Sequence, residues 1–310
     1  MSLADHVRTL GRGPGRSRAL TRDESEDAMT LMLSGDAAPE AIGALLMLLR
    51  MKGETADEIA GFAHAARQAI LPVAGVELDW PSYAAGRTRG QPWFLLSARL
   101  VAMAGHSVLL HGWNGSDGAV RAGLRDAGIS VARTVDDGNA LLRRDGIAYL
   151  PLEEAHPRLF GLLSLRAVLG LWSCVNTVCR MLNPGAAPAS VQGVFHPSYR
   201  LLQADAAARL GWPALSVIKG GGGEFERHPG KQIDVFGLRH GQPWQAAQPT
   251  LLSNTRRLAE TDADLATLWT QGAPGSFEES VVLGTAALAL ETLGHADGRA
   301  EAQRHWDARP

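Results

Sequence analysis

Apolar residues in the first seventy positions recur three and four apart, the spacing of one helix face. Ala28, Leu31 and Met32 form a stripe opened by Thr21-Arg22-Asp23-Glu24 and stopped by Gly35. Ile42, Leu45, Leu46 and Leu49 form a second, opened by Pro39 and closed by Gly53. Thr55-Ala56-Asp57-Glu58 opens a third helix that ends before Pro72. In both Thr-x-x-Glu boxes the hydroxyl and the carboxylate three residues on can satisfy N–H groups that a helix start leaves unpaired. Three short amphipathic helices with tight turns predict a small helical unit.

Beyond residue 72 the pattern alternates. Short apolar runs at 107–110, 147–150, 190–195 and 214–218 read as buried strands, with helical patterns at 93–104, 118–127 and 199–210. That rhythm predicts an α/β fold with a mostly parallel sheet. Residues 156–182 carry no strand signal and read as two helices meeting near Gly170. The expected division is a helical domain of residues 1–72 with 155–187, against an α/β domain of 73–154 with 188–310.

Composition narrows the class. With 45% hydrophobic and 20% charged residues over 310 positions, disorder over most of the chain is excluded. The longest clean apolar stretch, 41–49, ends at Arg50, whereas spanning a membrane needs roughly 20 residues. Residues 1–22 hold no apolar core of signal-peptide length. Cys174 and Cys179, five apart in a helical stretch, point to reduced thiols and a cytoplasmic location. The net charge of −2 means that any nucleic-acid partner must meet a local basic patch.

Four stretches could carry chemistry. Arg87 and Arg89 lie in a loop between a short strand and the helix opened by Pro92, a natural anion site. His111 sits at a strand's carboxyl end, either contacting a ligand or capping the turn. Lys219 and the run Gly220, Gly221, Gly222 and Gly223 follow another strand; the run either admits a phosphate close to the backbone or is a flexible linker. Glu224 and Glu226, just beyond, are metal carboxylates or plain surface groups. Finally Arg8, Arg12, Arg16, Arg18 and Arg22 make a basic, glycine-rich arm suited to a charged surface. Trp80, Trp93 and Trp113 flank the first two loops. No dinucleotide fingerprint follows a strand, and P-loop, H-E-x-x-H, G-x-S-x-G and zinc-site spacings are absent.

In order along the chain, these segments resemble the anthranilate phosphoribosyltransferase family, the TrpD-like proteins of glycosyltransferase family 3. The resemblance runs from Leu20–Glu24 and Met51–Thr55 through His156-Pro157, Arg166, Leu169-Gly170, Asn176 and Asn183-Pro184. It continues in Gly193-Val194-Phe195-His196-Pro197 and the helical stretch 282–293. It implies the nucleoside phosphorylase-like fold. As alternative catalytic positions it implies His111, Arg166 (matching the arginine that meets the aromatic acid) and Lys219.

The donor-site motifs depart from the family. Its diphosphate loop G-T-G-G-D-G falls on Ser82-Tyr83-Ala84-Ala85-Gly86-Arg87, losing three of four glycines and the acid. N-I-S-T falls on Pro92-Trp93-Phe94-Leu95, and K-H-G-N-R on Leu110-His111-Gly112-Trp113-Asn114. The metal-binding Asp-Glu pair falls on Phe225-Glu226, with Glu224 adjacent. Arginines are gained, and 79–90 with 219–224 resembles the YbiB branch. That resemblance implies a homodimer without transferase activity or cofactor that binds nucleic acid, DNA foremost, with little sequence preference. Arg87, Arg89, Lys219, Gly220–Gly223, Arg12, Arg16 and Arg18 would be its phosphate contacts. The alternative is a pentosyl- or phosphoribosyltransferase with an altered donor site, using magnesium with phosphoribosyl diphosphate. A small-molecule sensor on the same fold is a third reading.

Overall fold

The computed structural model describes residues 2–84, 90–114, 118–257 and 263–310. The chain opens with α1 (Leu3–Gly11), α2 (Arg22–Ser34), α3 (Pro39–Lys52) and α4 (Ala56–Gln68). Both capping boxes form. Thr21 Oγ1 accepts from Glu24 N at 3.2 Å and Glu24 Oε2 from Thr21 N at 2.8 Å. At α4, Glu58 closes the same box with Thr55 and is fully buried, accepting also from Leu20 N at 2.9 Å and Lys52 Nζ at 2.8 Å. One carboxylate thus ties α4 to the chain before α2 and to the end of α3.

The expected N-terminal arm is corrected. Residues 3–11 are helical, and Leu3 and Leu10 are buried in the same apolar cluster as Leu45 and Phe62. An amphipathic turn beneath the arginines outweighs the neighbouring glycines.

Seven strands form one sheet: β1 (Leu78–Ser82), β2 (Val108–Gly112), β3 (Ile147–Pro151), β4 (Ala189–Val194), β5 (Ala214–Lys219), β6 (Ile233–Arg239) and β7 (Gln242–Gln248). Their order is β3-β2-β1-β4-β5-β6-β7; the first five are parallel and the last two antiparallel. The chain runs outward from β1 to β3, then crosses back to start β4 beside β1. That reversal opens a crevice at the carboxyl ends of β1 and β4.

The remaining helices are α5 (Phe94–Met103), α6 (Gly118–Asp126), α7 (Val135–Asp145), α8 (Leu152–Ala155), α9 (Pro157–Ser164), α10 (Arg166–Leu169), α11 (Val175–Arg180), α12 (Tyr199–Arg209), α13 (Leu265–Gln271), α14 (Phe277–Thr292) and α15 (Gly298–Asp307), of which α5, α7, α12 and α14 pack against the sheet. α14 is buried along nearly its whole length, as its lack of a polar face requires. Leu159, Leu163, Val175 and Val178, from the strand-free block, share one apolar cluster with α2–α4. Both cysteines are buried and free of disulfide.

Candidate active site

The crevice at the sheet's reversal is a narrow cleft of about 70 Å³. Its walls come from α3 (Arg50), the end of β1 (Tyr83, Ala84), α11 (Asn176, Arg180), the turn after β4 (Phe195, His196) and α12 (Tyr199, Gln203). Helical unit and sheet therefore both contribute.

Arg180 holds the walls together. It is 5% exposed, and Nη1 donates to Gly193 O at 2.8 Å and Gly223 O at 2.9 Å, while Nη2 donates to Tyr83 O at 2.9 Å. The last turn of β4 and the segments that follow β1 and β5 are thus tied by one guanidinium, whose planar fork suits several acceptors at once. Sequence reasoning missed it, although a lone arginine among Val175, Val178, Cys179 and Leu182 was a signal of buried polar work.

Two polar groups in the cleft stand uncommitted. Gln203 is buried, and its Oε1 has no hydrogen-bond partner among the described residues. Arg50, on the rim, has no ion-pair partner among them. Tyr199 Oη donates to Glu54 Oε2 at 3.2 Å, and burial beside that carboxylate pushes its pKa up.

His111 does not face the cleft. It is buried between Asp79, 3.0 Å from Nε2, and Tyr83 Oη, 2.9 Å from Nδ1; Ser190 donates to the other Asp79 oxygen at 2.8 Å. This chain braces the back of Tyr83. Arg166 also stays outside: it is exposed and stacks over Trp172 at 4.0 Å, so only Trp172 reaches the cleft. Trp80 and Trp93 are core residues, and Trp113 packs against Phe160.

Glu224 and Glu226 are not surface groups, and as placed they do not fit a magnesium ion. Both are buried; Glu224 Oε1 accepts from Ala84 N at 2.8 Å, and Glu226 Oε2 from Phe94 N at 3.0 Å. Burial, reinforced by Glu224, raises the Glu226 pKa to about 8. A carboxyl that keeps its proton at neutral pH does not suit magnesium, which takes ionised oxygens and keeps several waters. No cluster of three or more ligating side chains occurs among the described residues.

Of the other expected phosphate contacts that are described, only Gly222 lines the cleft. Arg87 and Arg89 lie outside the described residues. Arg18 is engaged by both Glu24 oxygens at 2.6 Å. Arg12 and Arg16 are exposed and line neither the cleft nor the groove that holds Lys219. Gly221–Gly223 form a single 3₁₀ turn, with Gly222 at φ 62° and Gly223 at φ 101°; they are an ordered turn rather than a linker. Gly220 and Gly193 are dictated by contact, since a Cβ on either would lie 1.6 Å and 2.0 Å from Glu224 backbone atoms.

A helical bundle joined to an α/β sheet, with a cleft where the strand order reverses, is the architecture of a family 3 glycosyltransferase. Residues 4–70 match the glycosyl transferase family's helical bundle domain. The chain is 27% identical over 282 residues to an anthranilate phosphoribosyltransferase of Rhodopseudomonas palustris, covering 86% of this chain and 83% of that one. It is 32% identical over 217 residues to one from Halobacterium salinarum, covering 67% and 64%. The solved anthranilate phosphoribosyltransferase (TrpD) of Thermus thermophilus superposes with a TM-score of 0.80 at 23% identity, covering 98% of this chain and 94% of that one. The Saccharomyces cerevisiae enzyme in complex with PRPP and Mg gives 0.76 at 18%, covering 99% and 92%. The chain belongs to the TrpD-like family. These likenesses establish the family and not a branch within it.

They also correct the expected function. The relatives are phosphoribosyltransferases, so the reading as a non-catalytic DNA-binding protein is overturned. Within the N-terminal basic stretch, Arg18 is paired with Glu24, and Arg22 is bonded to Glu26 and to Arg209 O. No helix among the described residues is long and apolar enough to cross a membrane.

Proposed function

We propose that the chain is a family 3 glycosyltransferase of the phosphoribosyl type with an altered donor site. The observation that carries this reading is the cleft itself: at the sheet's reversal it offers a buried amide oxygen without a donor, Gln203, and a cation without a counterion, Arg50, among the described residues. An acceptor bearing both an N–H and an anionic group complements that pair. Anthranilate, the acceptor named in the relatives' activity, is such a molecule.

In this reading Gln203 Oε1 accepts the acceptor's N–H and orients its lone pair, while Arg50 holds the acid. The nitrogen attacks C1 of the ribose; the bond to the diphosphate oxygen breaks, diphosphate leaves with the electron pair, and the nitrogen's proton passes to solvent. Arg180 contributes by holding these three strand-end segments in register, which is positioning rather than contact with reacting atoms. At about 70 Å³ the cleft is narrower than the roughly 300 Å³ of a small-ligand site.

The donor end differs from the family pattern. Tyr83 and Ala84 carry side chains where glycines would let a diphosphate approach the backbone, and both are buried. The yeast relative's complex with PRPP and Mg supports a donor of that kind. Glu224 and Glu226 as placed do not fit magnesium, so no step is derived through a metal. The test is incubation of purified protein with phosphoribosyl diphosphate, magnesium and anthranilate. Loss of anthranilate fluorescence with equimolar diphosphate release is expected. No release above the protein-free blank, together with no calorimetric binding of either ligand, would overturn the proposal.

A further inference from the structure

A second concavity lies on the far side of the turn 196–200 and the loop 220–222. It measures about 400 Å³ and shares no lining residue with the cleft. It opens where β5 ends and β6 begins, at the carboxyl edge of the parallel strands, where open α/β sheets receive ligands.

Its charge is one-sided. Lys219, the last residue of β5, and Lys231 both line it, and neither has a hydrogen-bond or ion-pair partner among the described residues. Arg200 lines it as well and is already oriented. Its Nε donates to Pro197 O at 3.2 Å, its Nη1 to Asp234 O at 3.1 Å, and its guanidinium lies over Phe236 at 4.7 Å. Nη2 has no bond among the described residues. The one carboxylate in the lining, Asp234, sits 3.6 Å from Arg200 and offsets that charge alone. His228 adds no charge: its Nε2 donates to Arg256 O at 2.9 Å and its Nδ1 accepts from Gly230 N at 3.2 Å. Three cations against one anion leave an excess of two on a protein whose net charge is −2.

The floor is glycine by necessity. Gly220 cannot carry a Cβ beside Glu224 O, and with Gly221 it leaves the groove's wall free of side chains. An anion can therefore reach both lysines and the backbone together. A fixed guanidinium edge, two mobile ammonium groups and an excess of two positive charges match a compact dianion better than a singly charged carboxylate.

We propose that this groove binds a phosphate-monoester dianion, at a site separate from the cleft and independent of the proposed transferase activity. The test is titration of ¹⁵N-labelled protein at low salt with inorganic phosphate, ribose 5-phosphate and adenosine monophosphate, followed by NMR. Saturable shifts are expected at the amides of Gly220, Gly221 and Lys231. Equal affinities would show that the phosphoryl group alone is read; tighter binding of the esters would show that the sugar also sits in the groove. Lys219→Gln with Lys231→Gln should weaken all three ligands by about tenfold or more, a difference of about 1.4 kcal/mol. Arg12→Gln with Arg16→Gln, which removes two exposed cations elsewhere, should change little. Equal loss in both double variants would reduce the effect to general charge and overturn the proposal. So would shifts confined to the cleft, or no saturable shift with any of the three.

Discussion

The Glu226 carboxylate lies 3.0 Å from the backbone nitrogen of Phe94, 132 residues earlier in the chain. Phe94 is the first residue of α5, so the carboxyl caps a helix start with no side-chain cap of its own. A negative charge there is favoured by the helix dipole, but burial disfavours it more, and Glu224 adds repulsion.

The sign of the pH effect follows. Folded, Glu226 holds its proton to about pH 8; unfolded, it releases it near the ordinary value of 4.5. Between those values the folded state binds the extra proton, so stability falls as pH rises, at a limiting slope of about 1.4 kcal/mol per pH unit. Below the unfolded value the contribution is fully present, and above about 8 it is gone. Glu226→Gln keeps an acceptor for Phe94 N and has no proton to lose. The difference in urea midpoint between variant and parent should shift in the variant's favour across this window. A constant difference would mean that Glu226 is ionised throughout.

Arg180→Met should destabilise the fold by about 3 kcal/mol, because three carbonyls lose their donor at once. Arg180→Lys should recover only part of this, since one ammonium on a flexible stem cannot reproduce the fork. Urea denaturation of the three proteins tests the order. Equal stability of parent and methionine variant would show that the strand-end segments are held otherwise.

What the sequence revealed follows from how local each signal is. Thr21 with Glu24 and Thr55 with Glu58 are complete within four residues, and both helix starts fall where the boxes put them. Four of the five parallel strands, β2 to β5, were legible as short apolar runs because both their faces are buried; β1, Leu78-Asp79-Trp80-Pro81-Ser82, carries no such run. The β6–β7 hairpin was not. Its turn is His240-Gly241, both at positive φ, where the familiar signal is Asn-Gly, and β7 is an edge strand, Gln-Pro-Trp-Gln-Ala-Ala-Gln, with no apolar run and a proline in it. The site was harder still. Arg180 bonds carbonyls from three distant segments, and carbonyls leave no trace in residue identity. Glu224 and Glu226 could be found as acids but not as buried ones, because their burial depends on the close approach of the loop to Gly193 and Gly220.

That approach makes a sharp forecast. Gly193→Ala would place its Cβ 2.0 Å from Glu224 C, against backbone that cannot rotate away. It should cost about 3 kcal/mol or prevent folding, as overpacking does at its upper range. Gly161→Ala is the contrasting case. It lies inside α9, is exposed, and has nothing within 4 Å of the added carbon. There alanine should stabilise by roughly 0.5–1 kcal/mol through helix propensity alone. Thermal melts of the pair would separate the two causes, and a neutral Gly193→Ala would contradict the packing around Glu224.

Gln203 offers the most direct test of the cleft. Its buried Oε1 lacks a donor among the described residues, so the free protein bears a desolvation cost that a bound N–H would relieve. Gln203→Leu removes the unsatisfied atom while roughly preserving bulk. Stability should therefore be unchanged or rise by up to about 1 kcal/mol, whereas a structural role for the amide would lower it. Acceptor use should respond oppositely. KM for anthranilate should rise by about tenfold, the worth of one neutral hydrogen bond of about 1.4 kcal/mol. Arg50→Gln should raise KM too, and more at low salt, because an exposed cation acts through a screened field. In the double variant the two effects should add, since each residue holds a different end of the acceptor. A Gln203→Leu protein with unaltered KM but reduced stability would make the amide a structural element and remove the feature on which the acceptor reading rests.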